Sequence, residues 1–92
     1  MDLDTVLHRA PDTRYRRVRD EGVVIRQSTA EALVLNDLGA RLFELIDGRT
    51  SVTGLLDRLE AEYEVERPVL QADVMEYIAE LDALGLVTAG NG

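Results

Sequence analysis

The chain contains no cysteine, its ten basic residues are all arginine, and His8 is its one histidine. Without cysteine there can be no disulfide framework, no thiolate metal site and no cysteine nucleophile. One histidine is too few for a metal site built on several imidazoles. His8 also lies in an N-terminal segment that we interpret as loosely attached, which argues against a histidine general base.

Long apolar runs are also missing. No stretch approaches the roughly 18 apolar residues of a membrane span, and the start MDLDTVLHRAPD contains acids but no apolar run of signal-peptide length. With 92 residues, 46% of them hydrophobic, the chain suits one compact domain and is too short for two. We therefore expect a soluble, cytoplasmic domain that does not contact a membrane.

The charge is unevenly distributed. Ten arginines and 18 acids give a net charge of −8; residues 1–28 hold six Arg and five acids (+1), and residues 29–92 hold four Arg and thirteen acids (−9). Domains that bind nucleic acid through phosphates usually carry a basic stripe. The acidic second part of the chain therefore disfavours nucleic acid as a partner.

Catalytic motifs are not found. The glycines Gly39, Gly48 and Gly54 are scattered through helical pattern and helix ends, so they do not form a phosphate loop. The carboxylates Glu76 and Glu80, at i, i+4 on a predicted helix, are interpreted as a solvated face because nothing nearby suggests desolvation. The sequence therefore predicts a binding protein, with no enzymatic activity, no metal and no cofactor.

Three short strands are predicted first. Residues 1–13 are expected to be a flexible arm, and Gly22 is expected to supply the positive φ of a tight hairpin. The strands are predicted at about 14–19, 23–27 and 32–35, the last reading ALVL. Alternation then predicts a small antiparallel meander.

Three helices follow the strands. Asn36 is a suitable N-cap for the first, and Gly48 is expected to end it. Ser51 or Thr50 is expected to cap the second helix. Pro68 is expected to begin the third helix, which runs to about residue 84. Gly85 is expected to stop that helix, and residues 88–92 to be frayed. Three strands followed by three helices predict an α+β domain in which helices cover one face of a small sheet.

The order of these features carries a resemblance. A short strand ending in Leu-Asn, then Gly-Ala and a helix closing on Leu-Ile-Asp-Gly, then Thr-Ser-Val and a last helix ending Leu-Gly-Leu-Val, resembles the PqqD-like family. This family is the RiPP recognition element, the leader-peptide-binding domain of systems that modify ribosomally made peptides. The resemblance covers about residues 14–87.

The resemblance implies a winged helix-turn-helix-like domain that takes the leader of a precursor peptide as an additional strand. The leader would pair with the third strand beside the third helix, and the domain would present it to a separate modifying enzyme, such as a radical-SAM protein, or to a leader peptidase. An exposed strand edge supplies backbone hydrogen bonds for such a peptide. The predicted peptide-binding residues are Ala32, Leu33, Val34, Leu35 and Asn36 on the strand, and Leu70, Asp73, Val74, Met75, Tyr77, Ile78 and Leu81 on the helix.

Several of these residues have a second interpretation. Leu33, Leu35, Val74, Ile78 and Leu81 could be ordinary core. The acids Asp73, Glu76 and Glu80 could favour basic leader residues or could form a solvated face. Met75 and Tyr77 suit either an adaptable groove or the core edge.

The arginine-rich first strand, Arg14 to Arg19, also has two interpretations. Charge on both of its faces suits an edge strand protected against aggregation. The alternative is a docking patch for an acidic peptide segment or a partner enzyme.

Two other functions share the predicted scaffold. A DNA-binding winged helix would use the third helix, residues 68–84, which contains four acids and no Lys or Arg, so phosphate repulsion disfavours it. A general protein-interaction or regulatory module is not separated from leader binding by the sequence. The third strand lacks the aromatic residues that we associate with the lasso-peptide branch, so the product class stays open. We expect a monomer, although the open edge could pair in a dimer.

Overall fold

Strands and helices follow each other as predicted, with one strand added at each end. The computed structural model describes residues 2–90, which form five strands and three helices. These are β1 (Val6–Arg9), β2 (Thr13–Val18), β3 (Glu21–Arg26), β4 (Glu31–Leu35), α1 (Asp37–Leu45), α2 (Val52–Glu62), α3 (Arg67–Ala83) and β5 (Val87–Gly90). The predicted α+β class and its order of three strands and three helices are confirmed.

The three predicted strands form an antiparallel sheet in the order β2-β3-β4. The turn between β2 and β3 is tighter than predicted, and its residue of positive φ is Arg19, at 55°. Gly22 lies instead inside β3, where an added Cβ would meet Ala40 Cβ and Tyr15 Cε1 at 2.7 Å. The glycine is therefore required by the close approach of the sheet to α1.

Side-chain caps begin α1 and α2 as predicted. Asn36 Oδ1 accepts a hydrogen bond from the Gly39 amide at 2.9 Å, and Ser51 Oγ accepts one from the Gly54 amide at 3.2 Å. Each cap satisfies an amide that has no partner within the helix. Because Asn36 directly follows β4, the cap also fixes where the strand stops and α1 starts.

The ends of the helices agree with prediction at α3 and differ at α1. Gly85 has φ +70°, its amide donates to Asp82 O at 3.0 Å, and the Leu86 amide donates to Leu81 O at 2.9 Å, which is the Schellman pattern. By contrast, α1 ends at residue 45, before Gly48. Gly48, at φ +75°, turns the following loop.

The terminal segments differ from the predicted flexible arm and frayed end. β1 pairs antiparallel with β5, and Leu7 lies opposite Ala89. Val6 and Leu7 are buried, and the Gly48 amide donates to Leu7 O at 3.1 Å. The prediction missed this sheet because its two strands lie far apart in the sequence and are not joined by a turn that would indicate the pairing. Residues 1, 91 and 92, which were included in those two predictions, lie outside the described residues.

The core lies between the helices and the inner face of the β2-β3-β4 sheet, which is the face carrying Tyr15, Val24 and Leu35. Helix α1 crosses this face and packs against β3, while α3 packs mainly on α2, β5 and α1. The largest fully buried side chains are Phe43, Leu7, Leu35, Leu42, Leu55, Leu56, Leu59, Leu70, Ile78, Leu81, Leu86 and Val24. The opposite, outer face of the sheet is not covered by any helix of residues 2–90.

Candidate functional site

The candidate site begins at the edge of β4. This strand pairs with β3 from Gly22 opposite Leu35 to Arg26 opposite Glu31. Within residues 2–90 no strand pairs with its other edge. The unpaired amides and carbonyls of that edge are able to accept a further strand.

Helix α3 lies beside this edge and meets the start of α1 through Tyr77. A Cβ added to Gly39 would lie 3.1 Å from Tyr77 Cε1 and 3.2 Å from Leu35 Cβ, so the tyrosine ring packs over Gly39 next to the end of β4. Burial raises the pKa of Tyr77, and the neighbouring carboxylates add to that rise, whereas hydrogen bonding to the Asn36 side chain opposes it. Tyr77 and Asn36 thus close one end of the space between β4 and α3.

Arg26 of β3 joins the sheet to the C-terminal end of α3. Its Nη1 donates to Leu84 O at 3.4 Å, and its Nε lies 3.4 Å from Asp12 Oδ2. A cation at the C-terminus of a helix is favourable because unpaired carbonyls point there. We call the space between these two junctions, bounded by the open edge of β4 and by α3, the β4–α3 groove.

The side of α3 next to Tyr77 is acidic. Asp73, Glu76, Tyr77 and Glu80 line a pocket of about 160 Å³. In the part of the chain that the structure describes, none of these three carboxylates forms an ion pair. They are therefore available to a positively charged group entering from outside.

An apolar strip accompanies the carboxylates. Leu33, on the inner face of β4, is half-buried rather than buried like Leu35. Leu84 is half-buried as well, and helical spacing puts it on the same side of α3 as Tyr77. The groove thus combines a free backbone edge, an apolar strip and carboxylates.

The predicted site residues fall into three groups. Five are fully buried, each at most 1% exposed, so their side chains support the groove from beneath: Leu35, Leu70, Val74, Ile78 and Leu81. Six are exposed or half-buried at the groove or on β4: Ala32, Leu33, Val34, Asn36, Asp73 and Tyr77. The core interpretation is therefore confirmed for four of its five residues, all but Leu33, which is only half-buried. Leu70, which that interpretation did not include, is buried as well.

Met75 forms the third group by itself. It lines a separate shallow pocket with Arg67, Pro68, Gln71 and Ala72. Two residues along a helix correspond to a rotation of about 200°, so Met75 and Tyr77 lie on opposite sides of α3. The structure does not bring Met75 into the groove.

Val69 was not among the predicted site residues. It is 52% exposed and precedes Asp73 by one helical turn, on the acidic side of α3. Helical spacing in the sequence already puts Val69 on the same side of α3 as the acids Asp73, Glu76 and Glu80. The sequence does not show that this side faces β4.

At the opposite edge of the sheet, ion pairs tie β2 to α1. Arg17 of β2 lies 2.8 Å from Asp37 Oδ1 and 3.0 Å from Glu44 Oε2, and Tyr15 Oη donates to Glu44. Burial and this hydrogen bond raise the pKa of Tyr15 to about 12. For Glu44, burial acts to raise the pKa, but hydrogen bonds from Tyr15 and Arg17 outweigh it and the pKa is lowered. Arg17 therefore anchors β2 to α1.

Arg9 has a similar structural role. Its guanidinium lies 4.7 Å from the centre of the Phe43 ring, and its Nη2 donates to the carbonyls of Phe43 and Glu44 at 2.9 and 3.1 Å. These contacts satisfy carbonyls in the last turn of α1. They also tie β1 to the core.

The described residues contain neither a candidate metal cluster nor a helix able to span a membrane. Residues 2–90 contain no group of three or more His, Asp or Glu side chains placed to hold a metal ion. None of the helices in that range combines the length and the apolar character needed to cross a bilayer.

A sheet with helices on one face and an open edge beside the last helix defines a small winged-helix-like α+β domain. The sequence profile described as "Coenzyme PQQ synthesis protein D (PqqD)" matches residues 21–87. The chain belongs to the PqqD family.

Two relatives of similar length share this sequence pattern. A "PqqA binding protein" of Gluconobacter oxydans (strain 621H) is 31% identical over 77 residues, covering 84% of this chain and 80% of that protein. A "PqqA binding protein" of Rhodopseudomonas palustris (strain HaA2) is 26% identical over 83 residues, covering 90% and 79%.

Solved structures of the same fold contain a bound peptide. The structure "TbiB1 in Complex with the TbiA(beta) Leader Peptide" matches with TM-score 0.79 and 21% identity, covering 91% of this chain and 98% of that one. "Lasso peptide synthetase B1 complexed with the leader peptide" matches with TM-score 0.77 and 22% identity, covering 90% and 98%. At these identities the likeness shows the fold.

Proposed function

We propose that this protein binds the leader segment of a ribosomally synthesised precursor peptide by strand addition to β4, and presents it to a separate modifying enzyme or leader peptidase. The observation that carries the proposal is the open edge of β4 beside α3. Two PqqD-family relatives described as PqqA binding proteins support it. So do two proteins of the same fold whose structures hold a leader peptide.

The backbone of the leader supplies most of the affinity in this proposal. A peptide that adds to β4 satisfies the edge amides and carbonyls, and neighbouring strands lie about 4.8 Å apart. These hydrogen bonds do not depend on leader sequence. They hold the peptide in the β4–α3 groove in extended form.

Side chains along the groove select the leader. Alternate residues of the added strand point toward Leu33 and Tyr77, which accept an apolar side chain. Asp73, Glu76 and Glu80 lie next to Tyr77 and form no ion pair within residues 2–90, so they favour arginine or lysine. A leader with apolar residues at alternate positions and a basic residue nearby fits this surface.

The role is non-catalytic. His8, the one histidine, lies in β1 on the other sheet, and the groove offers carboxylates and a tyrosine of raised pKa. The chemistry is carried out by the enzyme that receives the leader. Any cofactor belongs to that enzyme.

The test is an amide NMR titration of isotope-labelled protein with the leader of a precursor encoded beside this chain's gene. We expect the largest shifts in residues 31–36 and on the Tyr77 side of α3. A scrambled leader of the same composition is the control. Shifts concentrated elsewhere, or equal shifts with the scrambled leader, would contradict the proposal.

N-methylation of the leader backbone tests strand addition directly. In an added strand, alternate amides donate to β4 and the others point away. Methylating a donating amide removes a hydrogen bond and introduces a clash, so we expect about tenfold weaker binding at every second position. Uniform losses along the leader would indicate another binding mode.

A further inference from the structure

The outer face of the β2-β3-β4 sheet combines arginines on β2 with aliphatic side chains, and it carries one acid, Glu21, beside the β2–β3 turn. In the register of the sheet, Arg16 lies opposite Val23, and Val23 lies opposite Val34. Two residues earlier on β2, and on the same face, Arg14 lies opposite Ile25. Each of these rows begins with an arginine on β2 and continues with aliphatic side chains on β3 and β4.

The aliphatic half of this face is not covered by residues 2–90. Val34 is 60% exposed and Ile25 is 40% exposed. An antiparallel sheet covered on one face normally carries polar residues on the other. In this chain β3 and β4 have apolar side chains on both faces, as strands do when both faces are covered.

The arginines on the outer face of β2 differ in their ion pairs from Arg17, which lies on the inner face. Arg17 is engaged with Asp37 and Glu44. Arg14 and Arg16 are exposed, and neither forms an ion pair within residues 2–90. The chain as a whole carries −8, so this patch is opposite in sign to most of the molecule. An arginine with a free head group and a neighbouring apolar surface suits a protein interface.

We infer that the outer face of the sheet docks a folded partner protein through a surface that has an apolar centre flanked by aspartates and glutamates. Apolar residues of the partner cover Ile25, Val23 and Val34, and its carboxylates pair with Arg14 and Arg16. The identity of the partner as the modifying enzyme rests on the proposed function.

The geometry allows both partners to bind together. The leader takes the edge of β4 and the groove beside α3, whereas the docked protein takes the face of the sheet. An added strand continues the sheet past Val34, so the leader emerges beside the docked protein without being covered by it.

The inference is tested with purified modifying enzyme encoded beside this chain's gene, by biolayer interferometry against immobilised protein. The variant R14E/R16E reverses the charge of the patch. The control R49E/R58E changes net charge equally at two exposed arginines outside the sheet. A second variant, Ile25→Gln, removes apolar contact without changing charge.

We expect R14E/R16E to weaken enzyme binding at least tenfold, Ile25→Gln several-fold, and the control less than twofold. Wild-type binding should also weaken with added salt, and this dependence should be smaller in R14E/R16E. Leader affinity, measured by calorimetry on the same samples, should be unchanged in all three variants. Thermal unfolding of each variant checks that the fold is retained.

Three results would overturn the inference: unchanged enzyme binding in R14E/R16E, an equal loss in the control, or loss of leader affinity together with enzyme affinity. Dimerisation in sedimentation experiments that R14E/R16E abolishes, without an effect on the enzyme, would assign the face to a second copy instead. Enzyme binding that depends on the arginines, in a chain that binds no leader, would overturn the proposed function and leave the docking surface standing.

Discussion

Tyr77 of α3 packs directly over Gly39 of α1, where an added Cβ would lie 3.1 Å from Tyr77 Cε1. The glycine lets the aromatic ring lie close to the end of β4. The same ring borders the pocket formed with the acids of α3. This contact joins the strand edge to the helix side that we propose selects the leader.

Replacing Tyr77 with alanine should therefore weaken leader binding by more than tenfold, about 1.4 kcal/mol, because the apolar wall beside β4 is lost. The measurement is calorimetric titration with the leader peptide. Met75→Ala is the matched control, since Met75 is also half-buried on α3 but lines a different pocket. Equal losses in both variants would argue that the effect is one of helix stability.

Neutralising the groove carboxylates should reduce affinity for a leader that carries arginine or lysine. In E76Q/E80Q we expect a several-fold loss at low salt that largely disappears at high salt, because exposed charges are screened. The control is E64Q/D82N, which removes two exposed carboxylates that do not line this pocket. A loss that persists at high salt would indicate lost packing in place of lost charge.

Acid should destabilise the fold partly through Asp37 and Glu44. Hydrogen bonds from Arg17 and then Tyr63 lower the pKa of Asp37, and the pKa of Glu44 is lowered despite its burial. Groups whose pKa is lowered by folding stabilise the folded chain above their ordinary values, here 3.8 and 4.5, and lose that contribution as the pH falls through the lowered values.

The variant Arg17→Ala tests this prediction. It should unfold at a lower temperature at pH 7, and the difference from wild type should shrink between pH 5 and pH 3, measured by circular dichroism. Arg14→Ala changes an exposed arginine on the opposite face of β2 and should leave the profile unchanged. A constant difference across this range would show that Arg17 acts mainly by packing.

The β1–β5 sheet should contribute to stability. Leu7 is 1% exposed, so Leu7→Ala should lower the free energy of unfolding by about 2–5 kcal/mol, measured by urea denaturation. His8→Ala, at the exposed neighbouring position, should change it by no more than about 0.5 kcal/mol. A loss of unfolding free energy below about 1 kcal/mol in Leu7→Ala would contradict this and support a loosely attached segment at residues 1–13.

The predictions that succeeded concern features with short-range causes. Asn36 and Ser51 cap helices through amides three residues away, and Gly85 ends α3 through hydrogen bonds to the last turn of the helix. Gly22 shows the limit of such reasoning. The prediction that it supplies the positive φ of the turn was wrong, because Arg19 does so. The glycine is required by contact with Ala40 and Tyr15, which no local pattern reveals.

The candidate site shows the same division. Met75 and Tyr77 were equivalent as sequence candidates, and helical geometry already required them to lie on opposite sides of α3. Which of them faces β4 depends on how α3 packs against α1. In the same way, alternation already placed Arg17 on the opposite face of β2 from Arg14 and Arg16. That its face is the one covered by α1 became known only from its partners there.

The sequence by itself determined the α+β class, the order and approximate ends of the central strands and helices, and the family. These follow from periodicity, caps and turn residues, whose causes lie within a few positions along the chain. Only the tertiary structure decided that β1 and β5 pair, and which side of α3 borders the open edge of β4. It also decided which arginines form ion pairs within residues 2–90 and which do not. Each of these depends on contacts between residues far apart in sequence, and their energies become available only once the core has brought the elements together.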